Sequence, residues 1–222
     1  HRVGPPGHEG GVKMDVETML KSISDGTPTP GGGAVGWIVL GQGTALLRMV
    51  SNLTLKSKKW SGGHDPSRTI LDATADFESR ATVGYDADCH AYESVVNAYK
   101  LPEENQERQR GIESASLLAA EVPLELMEAA LEISLLSKGL FGLHNKNAHS
   151  DLISSGLLLK TAAIIGSKNV KANIPYLSDE DSVGVKARHE EVRMGLMDVI
   201  PMITEGGGCL LYTSPSPRDS GK

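Results

Sequence analysis

Asp88, Asp151 and Lys58 are the side chains in this sequence best suited to move a proton or to face a developing charge. A carboxylate activates water or stands against a cationic centre; an ammonium donates a proton or neutralises an anion. Composition alone reads Asp88 as a solvated helix carboxylate paired with a nearby Lys or Arg. It reads Asp151, with Ser150 before it, as the cap of a helix N-terminus. Lys58 and Lys59 precede Trp60 and are either two solvated loop charges or a cation pair for a dianionic ligand. Gly31, Gly32 and Gly33 follow Pro30, where the backbone of a starting helix can approach a flat ligand closely; the other reading is a plain turn. The Gly-Lys-Ser/Thr signature of a phosphate-binding loop is missing. Asn145, Asn169 and Asn173 either hydrogen-bond the polar edge of such a ligand or close turns.

Seven histidines raise the question of a metal, but no spacing gives a ligand set. His144 and His149 lie five apart, and His90 lies two after Asp88, on another face of a regular helix. Each is expected to play a surface role. Cys89 reads as a packing residue, since no partner base is evident.

The elements that must position these groups are helical. Val16, Met19, Leu20 and Ile23 recur at helix spacing before Gly26. Residues 34–54 are apolar nearly all round, which predicts a central buried helix, followed by a basic loop at 56–63. Asp65 and Pro66 predict an N-cap and first helical position, with a helix running to Lys100, interrupted at Gly84 and stopped by Pro102. A helix over 103–137 should kink at Pro123, and a polar loop at 139–149 leads to a helix over 152–169. Pro175 breaks the chain, and Ser178 with Asp181 starts a last amphipathic helix reaching about Ile203. No alternating strand pattern competes, so the fold class is an all-α multi-helix bundle without a sheet.

The bulk properties fit one such domain. The chain has 222 residues and a formal net charge of −6, with 39% hydrophobic and only 4% aromatic residues. Ala, Leu, Ile, Val and Met must then fill the core, a palette that favours helix packing. The mildly acidic balance gives no electrostatic reason to expect nucleic acid or an anionic membrane. No apolar run reads as long enough to span a bilayer, and two cysteines, Cys89 and Cys209, suit a reducing cytoplasm. Residues 1–13 read as a flexible or non-native leader, 14–203 as the folded domain and 204–222 as a disordered or non-native tail.

In order along the chain, PTPGGGAV (28–35), MVSNLT (49–54), KKW (58–60), DADCHAY (86–92), AYKLP (98–102), Arg108, EVPLEL (121–126), HNKNAHSD (144–151) and NVKAN (169–173) resemble the cyclodeaminase/methenyltetrahydrofolate cyclohydrolase family. The resemblance covers about 14–203 without a large gap. Ala34 stands where the family usually has Ser, Trp60 where it has Tyr or Phe, His90 where it often has an acidic or other polar residue, and His144 where it usually has Gly. The resemblance implies a dimer that hydrolyses 5,10-methenyltetrahydrofolate to the 10-formyl compound. The alternatives it leaves are release of ammonia from the formimino compound and non-catalytic folate binding. It implies a tetrahydrofolate derivative as substrate, with no bound cofactor. It gives Asp88, Asp151 and Lys58 catalytic roles, and assigns Gly31, Gly32, Gly33, Lys59, Asn145, Ser150, Asn169 and Asn173 to the ligand.

Overall fold

A computed structural model describes residues 15–205; the leader and most of the tail lie outside the described residues. Seven α-helices follow one another: α1 (Val16–Ser24), α2 (Gly32–Leu55), α3 (His64–Ala73), α4 (Phe77–Lys100), α5 (Arg108–Leu140), α6 (His149–Asn173) and α7 (Asp179–Thr204). Short 3-10 turns occupy Lys58–Gly63, Lys146–Ala148 and Ile174–Tyr176, and no strand occurs among the described residues.

The central helix α2 organises the bundle, and close glycine contacts give the directions of its neighbours. Gly41 meets Ala81, Gly84 meets Trp37, and Gly33 meets Asp88, so α4 runs antiparallel to α2. Gly36 meets Ile165 and Gly43 meets Leu158, so α6 is antiparallel to α2 as well. Gly166 of α6 rests on Pro123 and Met127 of α5. The core between these helices holds Leu47, Leu124, Leu126, Met127, Leu152 and Leu159, all fully buried. Each such side chain contributes about 1.5–3 kcal/mol by leaving water. Arg188 ties α7 to α5 through Glu121 (2.6 Å) and Glu128 (2.9 Å).

Several expectations are corrected. The 65–100 segment breaks at Thr74–Asp76, not at Gly84. Gly84 is buried inside α4 under the Trp37 indole, where a Cβ would overlap the ring. The true break is held by Arg48, whose guanidinium donates to the carbonyls of Leu71 and Thr74, both at 2.8 Å. Helix α3 begins at His64, so Asp65 and Pro66 lie in its first turn, and the basic loop is partly a 3-10 turn. Helix α6 begins at His149 with Ala148 at its cap, which puts Ser150 and Asp151 in the first turn and not in a capping position. Helix α5 spans Arg108–Leu140 in place of the expected 103–137, with Pro123 inside it. The long apolar run also needs revision: α2 is long and apolar enough by composition to cross a membrane, because its glycines lie inside the helix and do not end it. Half of its apolar stretch is buried inside the bundle. His144 (0% exposed) and His189 (5%) are core residues, against the expected surface roles; His189 is bonded to Ser167 at 2.8 Å.

Candidate functional site

Because α4 and α6 both run against α2, the end of α6, a middle turn of α4 and the start of α2 meet at one place. A cavity of about 430 Å³ opens there. Its walls bring together six of the residues singled out in the sequence: Gly31, Gly32, Gly33, Asp88, Asn169 and Asn173. The Thr29–Pro30 peptide on its rim is cis.

Asp88 projects from α4 toward the first turn of α2. Gly31, at the cap of α2, has no side chain to satisfy the open backbone N–H groups, and the carboxylate of Asp88 lies against that first turn from another helix. Gly33 makes the approach possible, since a Cβ there would overlap the carboxylate. Burial pushes the Asp88 carboxyl above the usual carboxylate range, and the Ala34 N–H pulls it part of the way back. The backbone of residue 34 thus supplies a donor although the side-chain hydroxyl is missing.

The two asparagines are set by the chain around them. Pro123 has no N–H, so the Ala119 carbonyl one turn earlier in α5 loses its helical partner. Asn173 fills that vacancy, its Nδ2 donating to Ala119 O at 2.7 Å and to Asn169 O at 3.0 Å. Asn169 Nδ2 donates to Ile165 O at 2.9 Å. Asn173 has both amide protons committed to backbone and Asn169 has one, and the Oδ1 atoms of these two cavity-lining residues remain as acceptors.

Among the wall residues that sequence reasoning missed are Tyr92, Tyr99, Tyr176 and Ser116. The signal for the first two was present. Tyr92 and Tyr99 lie four and eleven residues after Asp88, on the same helix face, and both fall inside the quoted motifs. Arg108 lies over Tyr99 at 5.8 Å. A second cavity shares Pro28, Thr29 and Tyr92 with the first and continues to Glu93 and Lys100. The main cavity is thus lined by one carboxylate, three phenol rings and two amides, with no Lys or Arg among its described lining residues. Such a wall suits a flat cationic ring, through the carboxylate charge and the aromatic faces.

The other singled-out residues gather at the opposite end of α2, which at 24 residues is about 35 Å long. Lys58 and Lys59 are exposed in the 3-10 turn, with Lys59 Nζ over Trp60 at 4.9 Å. Asn145 clips that end together: its N–H donates to Thr54 Oγ1 (3.0 Å), its Nδ2 to Leu53 O (3.3 Å), and its Oδ1 accepts from Asn147 N–H (3.1 Å). Ser150 and Asp151 stand nearby in the first turn of α6. His144 lies in the same region, its Nε2 3.1 Å from His149 Nδ1 and the rings stacked. Burial above all, with Lys146 and His149 adding to it, pushes the His144 pKa down to about 4. Among the described residues no group of three His, Cys, Asp or Glu is placed to hold a metal ion.

Known proteins resemble the chain over most of this architecture. A methenyltetrahydrofolate cyclohydrolase of Methylorubrum extorquens is 31% identical over 172 residues, covering 74% of this chain and 81% of that protein. The formimidoyltransferase-cyclodeaminase of Rattus norvegicus is 26% identical over 182 residues, of which this chain spans 34% of the relative's length. The crystal structure of a formiminotetrahydrofolate cyclodeaminase from Thermotoga maritima superposes with a TM-score of 0.79 at 25% identity, covering 87% of this chain and 97% of that one. The sequence profile of the formiminotransferase-cyclodeaminase family matches residues 15–192, and the chain belongs to that family.

Proposed function

We propose that the protein hydrolyses 5,10-methenyltetrahydrofolate to 10-formyltetrahydrofolate, with Asp88 as the proton-handling group. The observation that carries this is the placement of Asp88: a carboxylate of raised pKa, fixed at a helix N-terminus inside an aromatic cavity free of lining cations. The methenyl carbon bridges two ring nitrogens and is cationic, so the ionised carboxylate attracts it. As water adds to that carbon, Asp88 takes one water proton, giving a tetrahedral carbon flanked by nitrogens. The carboxyl then returns the proton to the departing nitrogen, the C–N bond breaks, and the hydroxyl proton is released to solvent as the formyl group forms. A carboxyl of raised pKa is suited to both transfers. Asn169 and Asn173 offer acceptors to the N–H edge of the pterin ring, and Gly31 to Gly33 admit its flat face.

Release of ammonia from the formimino compound is the second reading, supported by the fold shared with the Thermotoga maritima protein. It passes through the same kind of tetrahedral carbon. Loss of methenyl absorbance, followed beside ammonia release, separates the two. Activity in neither assay leaves non-catalytic folate binding.

We also infer a homodimer. Ile38, Gln42, Ala45 and Met49 form one stripe along the outer face of α2, with Gln42, Ala45 and Met49 exposed. The stripe is symmetric about its midpoint, 38 with 49 and 42 with 45. A second copy packing antiparallel on it would meet the same residues in reverse, as a two-fold interface requires. That arrangement carries the Lys58–Lys59 end of one protomer toward the cavity end of its partner, which supplies cations for the glutamate carboxylates of the substrate. Lys58, Lys59, Ser150 and Asp151 retain a role in this reading only across the interface.

A further inference from the structure

We propose that Ser116 is a specificity-determining residue that donates a hydrogen bond to the oxo group of the pterin ring. This assignment rests on the folate reading above. Ser116 is 3% exposed, lies on α5 and lines the main cavity. Buried hydroxyls on the helices of this protein commonly turn back to the carbonyl four residues earlier: Thr44 to Leu40, Ser51 to Leu47, Thr54 to Val50 and Thr74 to Ile70, at 2.7–2.9 Å. Ser116 makes no such bond to Ile112, and its hydroxyl has no partner among the described residues. Three other buried serines, Ser67, Ser134 and Ser137, lack partners too, but their oxygens are sealed from any open space. The Ser116 oxygen is not sealed in this way, and the space beside it is the cavity. A buried hydroxyl left open toward a cavity wants a ligand atom, because an unmet polar group in such a place is costly.

The neighbours give the bond its direction. Ala119, one turn along α5, is bound by Asn173, which is bound in turn to Asn169. The wall therefore carries an Asn173 amide that is left only to accept and the Asn169 oxygen beside it, next to one hydroxyl that can donate. The pyrimidine edge of a pterin presents the complement: an amino group and a ring N–H that donate, next to an oxo oxygen that accepts. A site that hydrogen-bonds a particular group rejects an analogue lacking it far better than an apolar pocket can.

The test measures kcat/KM for 5,10-methenyltetrahydrofolate and for its 4-deoxy analogue, which lacks the oxo group and, with it, the adjacent ring N–H, so the readout is the change in preference when the Ser116 hydroxyl is removed. The full chain is used as wild type, Ser116→Ala and Ser116→Thr, with circular dichroism to confirm helical content. The expected result is a wild-type preference for the oxo substrate that falls about tenfold or more in Ser116→Ala, through a rise in KM for that substrate, and is kept in Ser116→Thr. Ser116→Cys, close in size but a weaker donor, replaces Ser116→Ala should that variant not fold, and is expected to show most of the same fall in preference. A preference that removal of the hydroxyl leaves undiminished, or a wild type that treats both substrates alike, overturns the assignment and leaves the folate reading standing. A wild type that turns over neither substrate, with no ammonia from the formimino compound, overturns both enzymatic readings and this assignment with them.

Discussion

The side chain of Asn173 completes a hydrogen bond that Pro123 removes: its Nδ2 donates at 2.7 Å to the Ala119 carbonyl, which a proline four residues later cannot serve. This links a proline in α5 to the orientation of a cavity amide on α6. Asn173→Ala should lower stability by about 1–2 kcal/mol, the cost of an orphaned carbonyl. In a Pro123→Ala background, where an N–H is restored to the helix, the same change should cost clearly less. Denaturant unfolding of the four proteins in the cycle checks this, and equal costs in both backgrounds would disprove the link.

Gly33→Ala should reduce turnover at least tenfold, because the new methyl group displaces the Asp88 carboxylate from the start of α2. The loss should not add to that of Asp88→Asn, since both act on one group. Additive losses in the double variant would show that Gly33 acts elsewhere.

Asp88→Asn should lower turnover by about a hundredfold or more, in line with the size of acid/base contributions. The pH dependence has a definite sign. With the folded carboxyl above its ordinary value, activity needing the ionised form falls as pH drops through that raised pKa. Stability moves the other way: the contribution of this group is fully present below the unfolded carboxyl value and is lost as pH rises through the folded one. The Asn variant should therefore be no less stable than wild type at neutral pH, and its melting curve should lack that component. Near-normal turnover would remove Asp88 from the mechanism.

His144 gives a second pH signature. Its folded pKa of about 4 lies below the ordinary 6.5, so the unfolded chain binds the extra proton between these values. Stability should fall as pH drops from 6.5 toward 4, by at most about 1.4 kcal/mol per pH unit. Thermal melting of His144→Phe across that window should show a shallower slope than wild type. An unchanged slope would mean that other groups set it.

Ala45→Glu places a charge at the middle of the α2 stripe and should yield monomer by light scattering at micromolar concentration. Lys58→Ala should leave the dimer intact and raise KM, most for substrates with several glutamates. A wild-type chain that is strictly monomeric yet fully active would contradict the dimer.

Helices and their order were legible in the sequence, because spacing within one element is local: the apolar run of α2, the Ser178–Asp181 start of α7 and the stop before Pro102 all follow from neighbouring residues. Local signals failed where a distant partner decides. Gly84 reads as a break until Trp37 is seen lying against it, and Arg48 bridges a gap 23 residues away that its own segment does not mark. The candidate site divides along the same line. Its residue types were all present in the sequence, but nothing in their spacing tells that Asp88, Asn169 and Asn173 share a cavity with Gly33 while Lys58, Asn145 and Asp151 stand about 35 Å off. That separation follows from the antiparallel packing of α4 and α6 on α2, which brings the start of α2, the second half of α4 and the end of α6 to the cavity and carries the far end of α2 away.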